Sequence, residues 1–129
     1  KPGAAFFVEL MAATVSMALG SQWAVETIYS GLAQGLGAEV VFALVAYRRF
    51  NAMIVSAAGA VSFAFEWVLE LFLSGHLEKG VLYNAIYLVC GALSGVVLAG
   101  LLAWALTSAL AKTGALDRFA SGRGARELV

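Results

Sequence analysis

The chain of 129 residues is 62% hydrophobic and only 12% charged, and its mean hydropathy of +0.90 argues against a soluble globular domain. Eight basic and eight acidic residues give a net charge of zero, so composition indicates no nucleic-acid partner. The single cysteine, Cys90, excludes an internal disulfide and a multi-cysteine metal site. We therefore expect one all-α membrane domain in a lipid bilayer.

Four apolar segments have about the length that a helix needs to cross a bilayer, roughly 20 residues. They comprise residues 3–19, 23–47, 52–74 and 81–111. Because lipid offers no hydrogen-bond partners to an open backbone, each segment is predicted to be helical. Residues 112–129 have the composition of an exposed tail. Since the chain begins without methionine and without a cleavable signal, we expect a further region upstream.

Positive charge is unequal on the two sides that four spans would define. One side holds only Lys79. The other holds the remaining seven basic residues: Lys1, Arg48, Arg49, Lys112, Arg118, Arg123 and Arg126. The positive-inside rule makes that side the cytoplasm, so both ends of the chain are predicted to be cytoplasmic and the connections 20–23 and 74–80 to face outward.

Two pairs of glycines have the spacing that lets membrane helices approach closely. Gly31 and Gly35 lie in the second segment, and Gly91 and Gly95 lie in the fourth. The spacing favours contacts within one helix bundle over a dimer interface.

Five glutamates lie within the apolar segments, which contain no basic residue that would neutralise them. They are Glu9, Glu26, Glu39, Glu66 and Glu70. An uncompensated charge at mid-bilayer costs on the order of a few kcal/mol, so such residues are candidates for a functional role.

Three of these acids, Glu26, Glu66 and Glu70, lie near the outward ends of their segments. Helical spacing places aromatic, amide and hydroxyl groups at the same level. These groups belong to Trp23, Ser30, Gln34, Trp67, Tyr83, Asn84 and Tyr87. Carboxylates beside aromatic faces are typical of a site for an organic cation with a flat ring. A metal ion would require more oxygen ligands, so we expect neither a metal nor a cofactor.

Other interpretations remain open for this outward layer. The tryptophans and tyrosines are also typical of the aromatic belt at a membrane surface. Glu26 and Glu70 would then be hydrated, and a protonated Glu66 would hydrogen-bond to a neighbouring helix. His76 and Lys79, in the outward connection, would either cover a site or be solvated.

Glu9 and Glu39 lie deeper than the other acids and have small residues as neighbours on their helix faces. We expect both to be buried carboxylates at helix contacts, with binding as the alternative.

Several stretches together resemble a known family. They are "KPGAA" leading into "VELMAA", "QGLGAE" from Gln34, "ELFLSG" from Glu70, "GALSGVVLAGLLA" from Gly91 and "AKTGALDRF" from Ala111. They are similar to the YkoE branch of substrate-binding S components, which belong to energy-coupling-factor (ECF) vitamin transporters of the ABC type. The resemblance covers nearly the whole chain, and the branch carries an acid at the position of Glu70.

The resemblance implies a six-helix bundle in the bacterial cell membrane, of which this chain would form the last four helices. It implies capture of thiamine or its hydroxymethylpyrimidine precursor at the outer face, and partnership with a transmembrane coupling protein and two cytoplasmic ATPases. In that setting the rings of Trp67, Tyr83 and Tyr87 would stack on the ligand. Glu26, Glu66 and Glu70 would balance its charge, with Asn84, Gln34 and Ser30 on its polar edge.

Three rival functions are compatible with a membrane bundle. A proton-coupled carrier for organic cations would use a membrane glutamate for proton and substrate in turn. A scaffold protein would bind no ligand. An intramembrane hydrolase is disfavoured, because the only histidine is in a connection and the only cysteine has no histidine on its helix.

Overall fold

A computed structural model describes residues 1–116, and this part of the chain consists of helices and their connections. The elements are α1 (Ala4–Ala18), α2 (Glu26–Leu44), α3 (Ala52–Leu73), a 3-10 turn (His76–Lys79) and α4 (Val81–Lys112). The predicted tail beyond residue 116, with Arg118, Arg123 and Arg126, lies outside the described residues.

The connection between α1 and α2 is longer than the sequence predicts. The prediction that Trp23 lies on the second helix is wrong, because α2 begins only at Glu26. The cause is local, since Ala24 has a φ of 44°, in the left-handed region that stops a right-handed helix. The Ser21 and Thr27 hydroxyl oxygens lie 2.8 Å apart and tie the two ends of this connection together.

α3 has a well-defined start and end. The Asn51 side chain accepts a hydrogen bond from the Ile54 amide at 2.9 Å, as expected of an N-cap residue. The helix ends before Gly75, which has a φ of 64° that glycine adopts without strain. The chain can therefore turn directly into His76–Lys79.

α4 is not a uniform α-helix. Val81–Ser94 and Ala103–Lys112 are α-helical, whereas Gly95–Leu102 between them is π-helical. A π-helix joins residues i and i+5 by hydrogen bonds and is found mostly as short segments within α-helices. Gly95 and Gly100 lie in this segment, and both approach the backbone of α3 closely.

The helices pack in chain order, α1 on α2, α2 on α3, and α3 on α4. The predicted glycine contacts are confirmed on α1, where Gly31 and Gly35 lie against Ala13 and Phe6. In the same way, Gly95 of α4 lies against the backbone of Gly59 on α3. Small residues thus replace a large apolar core, which here is limited to a cluster around Val41, Ile54 and Ala58.

Two of these helices, α3 and α4, are long and apolar enough to cross a membrane, whereas α1 is apolar but shorter. Four membrane spans, and their place as the last four of six, therefore stay predictions. The antiparallel packing puts the start of α1, the end of α2, the start of α3 and the end of α4 together at one end of the molecule.

Candidate functional site

A cavity of about 230 Å³ lies at the opposite end, between the start of α2, the end of α3 and the 3-10 turn. We call it the acidic cavity. It is lined by Trp23, Glu26, Ser30, Glu66, Leu69, Glu70, Leu73, Ser74, His76 and Lys79. Three carboxylates from two helices therefore face one space.

A second cavity, of about 340 Å³, adjoins the first between α1 and α2. We call it the α1–α2 cavity. It is lined by Glu9, Ala12, Ala13, Ser16, Ser21, Trp23, Thr27, Ser30, Gly31, Gln34 and Glu66. Because Trp23, Ser30 and Glu66 line both cavities, the two spaces meet at these residues.

Glu66 connects α3 with α2. Its Oε2 accepts a hydrogen bond from Nε2 of Gln34 at 2.7 Å. One of the interpretations left open for Glu66, a hydrogen bond to a neighbouring helix, is therefore present in the structure. The same carboxylate also faces both cavities, so its role in binding stays a prediction.

Glu70 is held by α4 on one side only. Its Oε1 accepts a hydrogen bond from the Tyr87 hydroxyl at 3.2 Å. Its Oε2 is buried, has no hydrogen-bond partner and lies 3.8 Å from Nδ1 of His76. Buried carboxylate oxygens are nearly always paired, so this oxygen is available to a partner in the cavity.

His76 is buried, and the interpretation of it as a solvated loop histidine is wrong. Only 5% of its surface is exposed. The Asn84 amide donates hydrogen bonds to the carbonyl oxygens of His76, at 2.6 Å, and Gly80, at 3.0 Å, and so fastens the 3-10 turn onto α4. Sequence reasoning missed this because the turn depends on a contact between two connected elements and has no pattern of its own.

Four residues predicted to contact the ligand do not line either cavity: Trp67, Tyr83, Asn84 and Tyr87. The Tyr83 and Tyr87 rings stack on each other with centroids 5.9 Å apart, and the His76 ring lies nearly perpendicular to both. The α4 residues thus stand behind His76 and Glu70 and support the wall of the acidic cavity. Helical spacing correctly predicted the depth of these residues along the helices. It did not predict that His76 and Glu70 would lie between them and the cavity.

Glu9 and Glu39, which the sequence treats alike, occupy different places. Glu9 lines the α1–α2 cavity. Glu39 lies at the start of α1, where its carboxylate accepts hydrogen bonds from the amides of Gly3, of Ala5 at 3.2 Å and of Phe6 at 3.4 Å. Since Gly3 has no side chain to cap α1, Glu39 of the neighbouring helix takes that role.

The Tyr47 hydroxyl, in the turn after α2, donates a further hydrogen bond to Glu39 at 2.6 Å. This hydrogen bond to a carboxylate raises the pKa of the Tyr47 phenol. Glu39 lines neither cavity, so its contacts are those of a helix-capping residue.

Comparison with known proteins gives three matches. The family model of the ABC-type cobalt transport system permease component matches residues 1–65. A Bacillus subtilis (strain 168) protein named as an HMP/thiamine permease, YkoE, is 38% identical over 123 residues, which is 95% of this chain and 62% of that protein. A solved crystal structure of an S-component of an ECF transporter superposes with a TM-score of 0.94 at 37% identity, over 98% of this chain and 64% of the other. The chain therefore spans less than two thirds of the length of these relatives.

Proposed function

We propose a function on the premise that the chain belongs to the family of ABC-type cobalt transport system permease components. Its likeness to an S-component of an ECF transporter and to an HMP/thiamine permease supports a multi-pass membrane protein of vitamin uptake. In this proposal it is the subunit that captures thiamine, or its hydroxymethylpyrimidine precursor, at the outer face. A transmembrane coupling protein and two cytoplasmic ATPases then drive import.

The observation that carries the proposal is the grouping of Glu26, Glu66 and Glu70 around one cavity. Lys79 also lines that cavity, but its ammonium group lies over the Tyr83 ring, 5.3 Å from the centroid, and not against a carboxylate. The acids are therefore left to attract a cation from outside. Thiamine carries a permanently positive thiazolium ring and suits such a site.

The shape of the site also supports a ligand of two rings. The acidic cavity and the α1–α2 cavity meet at Glu66, beside Ser30 and Gln34. Thiamine has a thiazolium and an aminopyrimidine ring joined by one carbon, so each ring would occupy one cavity. The amide and hydroxyl groups near the junction suit the polar edge of the pyrimidine.

The donor set does not fit the metal ion in the family's name. Within residues 1–116 no three histidine, cysteine, aspartate or glutamate side chains are grouped closely enough to hold an ion. Glu26, Glu66, Glu70 and His76 line the acidic cavity without forming such a group, and Trp23, Leu69 and Leu73 beside them offer no ligand to a metal.

Isothermal titration of the purified protein in detergent tests the proposal. With Glu66→Gln and Glu70→Gln combined, the affinity for thiamine is expected to fall at least tenfold, because both substitutions remove a negative charge that attracts the thiazolium ring, and tenfold corresponds to only about 1.4 kcal/mol. The affinity for hydroxymethylpyrimidine, which has no fixed charge, is expected to fall less in the double variant.

Glu78→Gln is the matched control, since Glu78 is an exposed acid on the adjacent 3-10 turn that lines neither cavity. Its affinity for thiamine is expected to equal that of the unaltered protein. Equal affinity in the double variant would contradict the electrostatic basis of the proposal.

A further inference from the structure

His76 and Glu70 face each other across a gap that neither side chain closes. Nδ1 of His76 and Oε2 of Glu70 are both buried without a hydrogen-bond partner, and they lie 3.8 Å apart. The two side chains are 7% and 20% exposed. The separation is an ion-pair distance but exceeds a hydrogen bond, so a proton on Nδ1 would satisfy both atoms once the two side chains moved slightly closer.

Acidic and aromatic groups surround His76. The titratable or charged groups that face it are Glu26 of α2, Glu66 and Glu70 of α3, Lys79 of its own turn, and Tyr83 and Tyr87 of α4. Three carboxylates thus oppose one ammonium group, and Lys79 is drawn toward the Tyr83 ring. The centroids of the two tyrosine rings lie 5.7 Å and 5.1 Å from that of His76, with the ring planes nearly perpendicular.

We propose that protonated His76 is the resident counter-cation of Glu70 in the empty site. A cationic ligand that reaches the acidic cavity takes its place on the Glu70 carboxylate, and the imidazole releases its proton to solvent. The ligand part of this inference rests on the proposed function, whereas the pairing of His76 with Glu70 does not.

The exchange makes binding of a fixed cation dependent on pH. Imidazole is the side chain that ordinarily changes charge between about pH 5 and 8. In the acid part of that range the imidazolium competes with the ligand, so affinity is low. As pH rises the competitor disappears, and affinity increases by up to about tenfold per pH unit while one proton is released per ligand bound.

The same exchange contributes to selectivity. A neutral ligand such as hydroxymethylpyrimidine brings no charge to replace the imidazolium, so it gains nothing from displacing it. A permanently charged ligand neutralises the Glu70 carboxylate after His76 has lost its proton. Protonated His76 would therefore weaken the preference for thiamine at acid pH, and the preference for thiamine over its neutral precursor would be greatest at neutral and alkaline pH.

The pairing is tested without any ligand by NMR of the imidazole, which is unambiguous because the sequence has one histidine. The imidazolium signal of the protein in detergent is expected to persist to higher pH than in a Glu70→Gln variant. Glu78→Gln, on the same turn but exposed, is expected to change it little. Identical titrations in the unaltered protein and in Glu70→Gln would overturn the proposal.

The exchange is tested by titrating thiamine in two buffers of different ionisation enthalpy. Close to one proton is expected to be released per thiamine near pH 6 and almost none near pH 8.5. His76→Asn keeps a polar group near the Nδ1 position but carries no charge, so its thiamine affinity is expected to be nearly constant over this range. Thiamine binding without proton release, or an unchanged pH dependence in His76→Asn, would overturn the exchange.

The two measurements separate this inference from the function on which it rests. If thiamine fails to bind the unaltered protein at any pH, the proposed function falls, and the NMR titration still decides whether His76 pairs with Glu70. If thiamine binds equally at pH 5.5 and pH 8, the proposed function stands and the exchange is excluded.

Discussion

Glu39 shows how a carboxylate in an apolar helix can be satisfied without any basic partner. It accepts hydrogen bonds from backbone amides at the start of α1 and from the Tyr47 hydroxyl. The free amides of a helix start carry partial positive charge and so compensate the carboxylate. Glu70, by contrast, has one oxygen bound and one oxygen open.

Glu39→Ala is expected to lower the free energy of unfolding by about 1–2 kcal/mol, because the start of α1 loses its cap. Thermal unfolding in detergent measures the change. Tyr47→Phe, which removes one donor to Glu39, is expected to cost about 1 kcal/mol. At a temperature where both variants are fully folded, their affinity for thiamine is expected to be the same. A loss of affinity in Glu39→Ala alone would show that Glu39 takes part in binding.

Asn84 is the residue that positions His76. Asn84→Ala removes both hydrogen bonds to the 3-10 turn, so it is expected to destabilise the protein by about 1 kcal/mol and to speed amide exchange at residues 76–80. Hydrogen exchange with mass spectrometry measures that effect. Leu82→Ala, at an exposed position of the same helical turn, serves as the control. Equal exchange in the two variants would show that the turn is held by other contacts.

At the scale of the helices, the contact of α3 with α4 depends on the absence of side chains. A Cβ atom at Gly59 would overlap the carbonyl of Gly95. Gly59→Ala is therefore expected to cost about 1–3 kcal/mol in stability, measured by thermal unfolding in detergent. Ala57→Leu adds more bulk at an exposed position of α3 and is expected to change stability by less than about 0.5 kcal/mol. A Gly59→Ala protein as stable as the Ala57→Leu protein would contradict this packing.

The sequence predicts these helices better than it predicts what lies between them. Apolar length locates α3 to within a residue, because that signal is local. Trp23 is misplaced because its position depends on the left-handed conformation of Ala24, a residue type that rarely adopts it.

The site divides in the same way. Glu26, Ser30, Glu66 and Glu70 lie together on one cavity, as helical spacing and depth predict, and their role in binding stays a prediction. Trp23 also lines that cavity, but it does so from the connection before α2 and not from the helix. The burial of His76 and the capping role of Glu39 depend on contacts between different helices, which spacing along one helix does not contain.

For the whole molecule, the distribution of basic residues predicts which end faces the cytoplasm. In a Cys90→Ser background, single cysteines at Gln22 and Glu78 are expected to react with an impermeant maleimide added to intact cells. Cysteines at Arg49 and Lys112 are expected to react only after permeabilisation. All four positions are exposed, so access to the reagent depends on the side of the membrane. Reaction of Arg49→Cys in intact cells would show that the orientation is opposite to the predicted one.

The π-helical segment Gly95–Leu102 affects how α4 tolerates changes in chain length. Deleting one residue from an α-helix rotates everything beyond it by about 100° and carries side chains to the wrong face. A π-helical turn contains about one residue more than an α-helical turn. Losing one residue there would convert it into an α-helical turn, and the side chains before and after it would keep nearly the same orientation. We therefore expect a single-residue deletion to be tolerated better within Gly95–Leu102 than within α3, which is α-helical throughout.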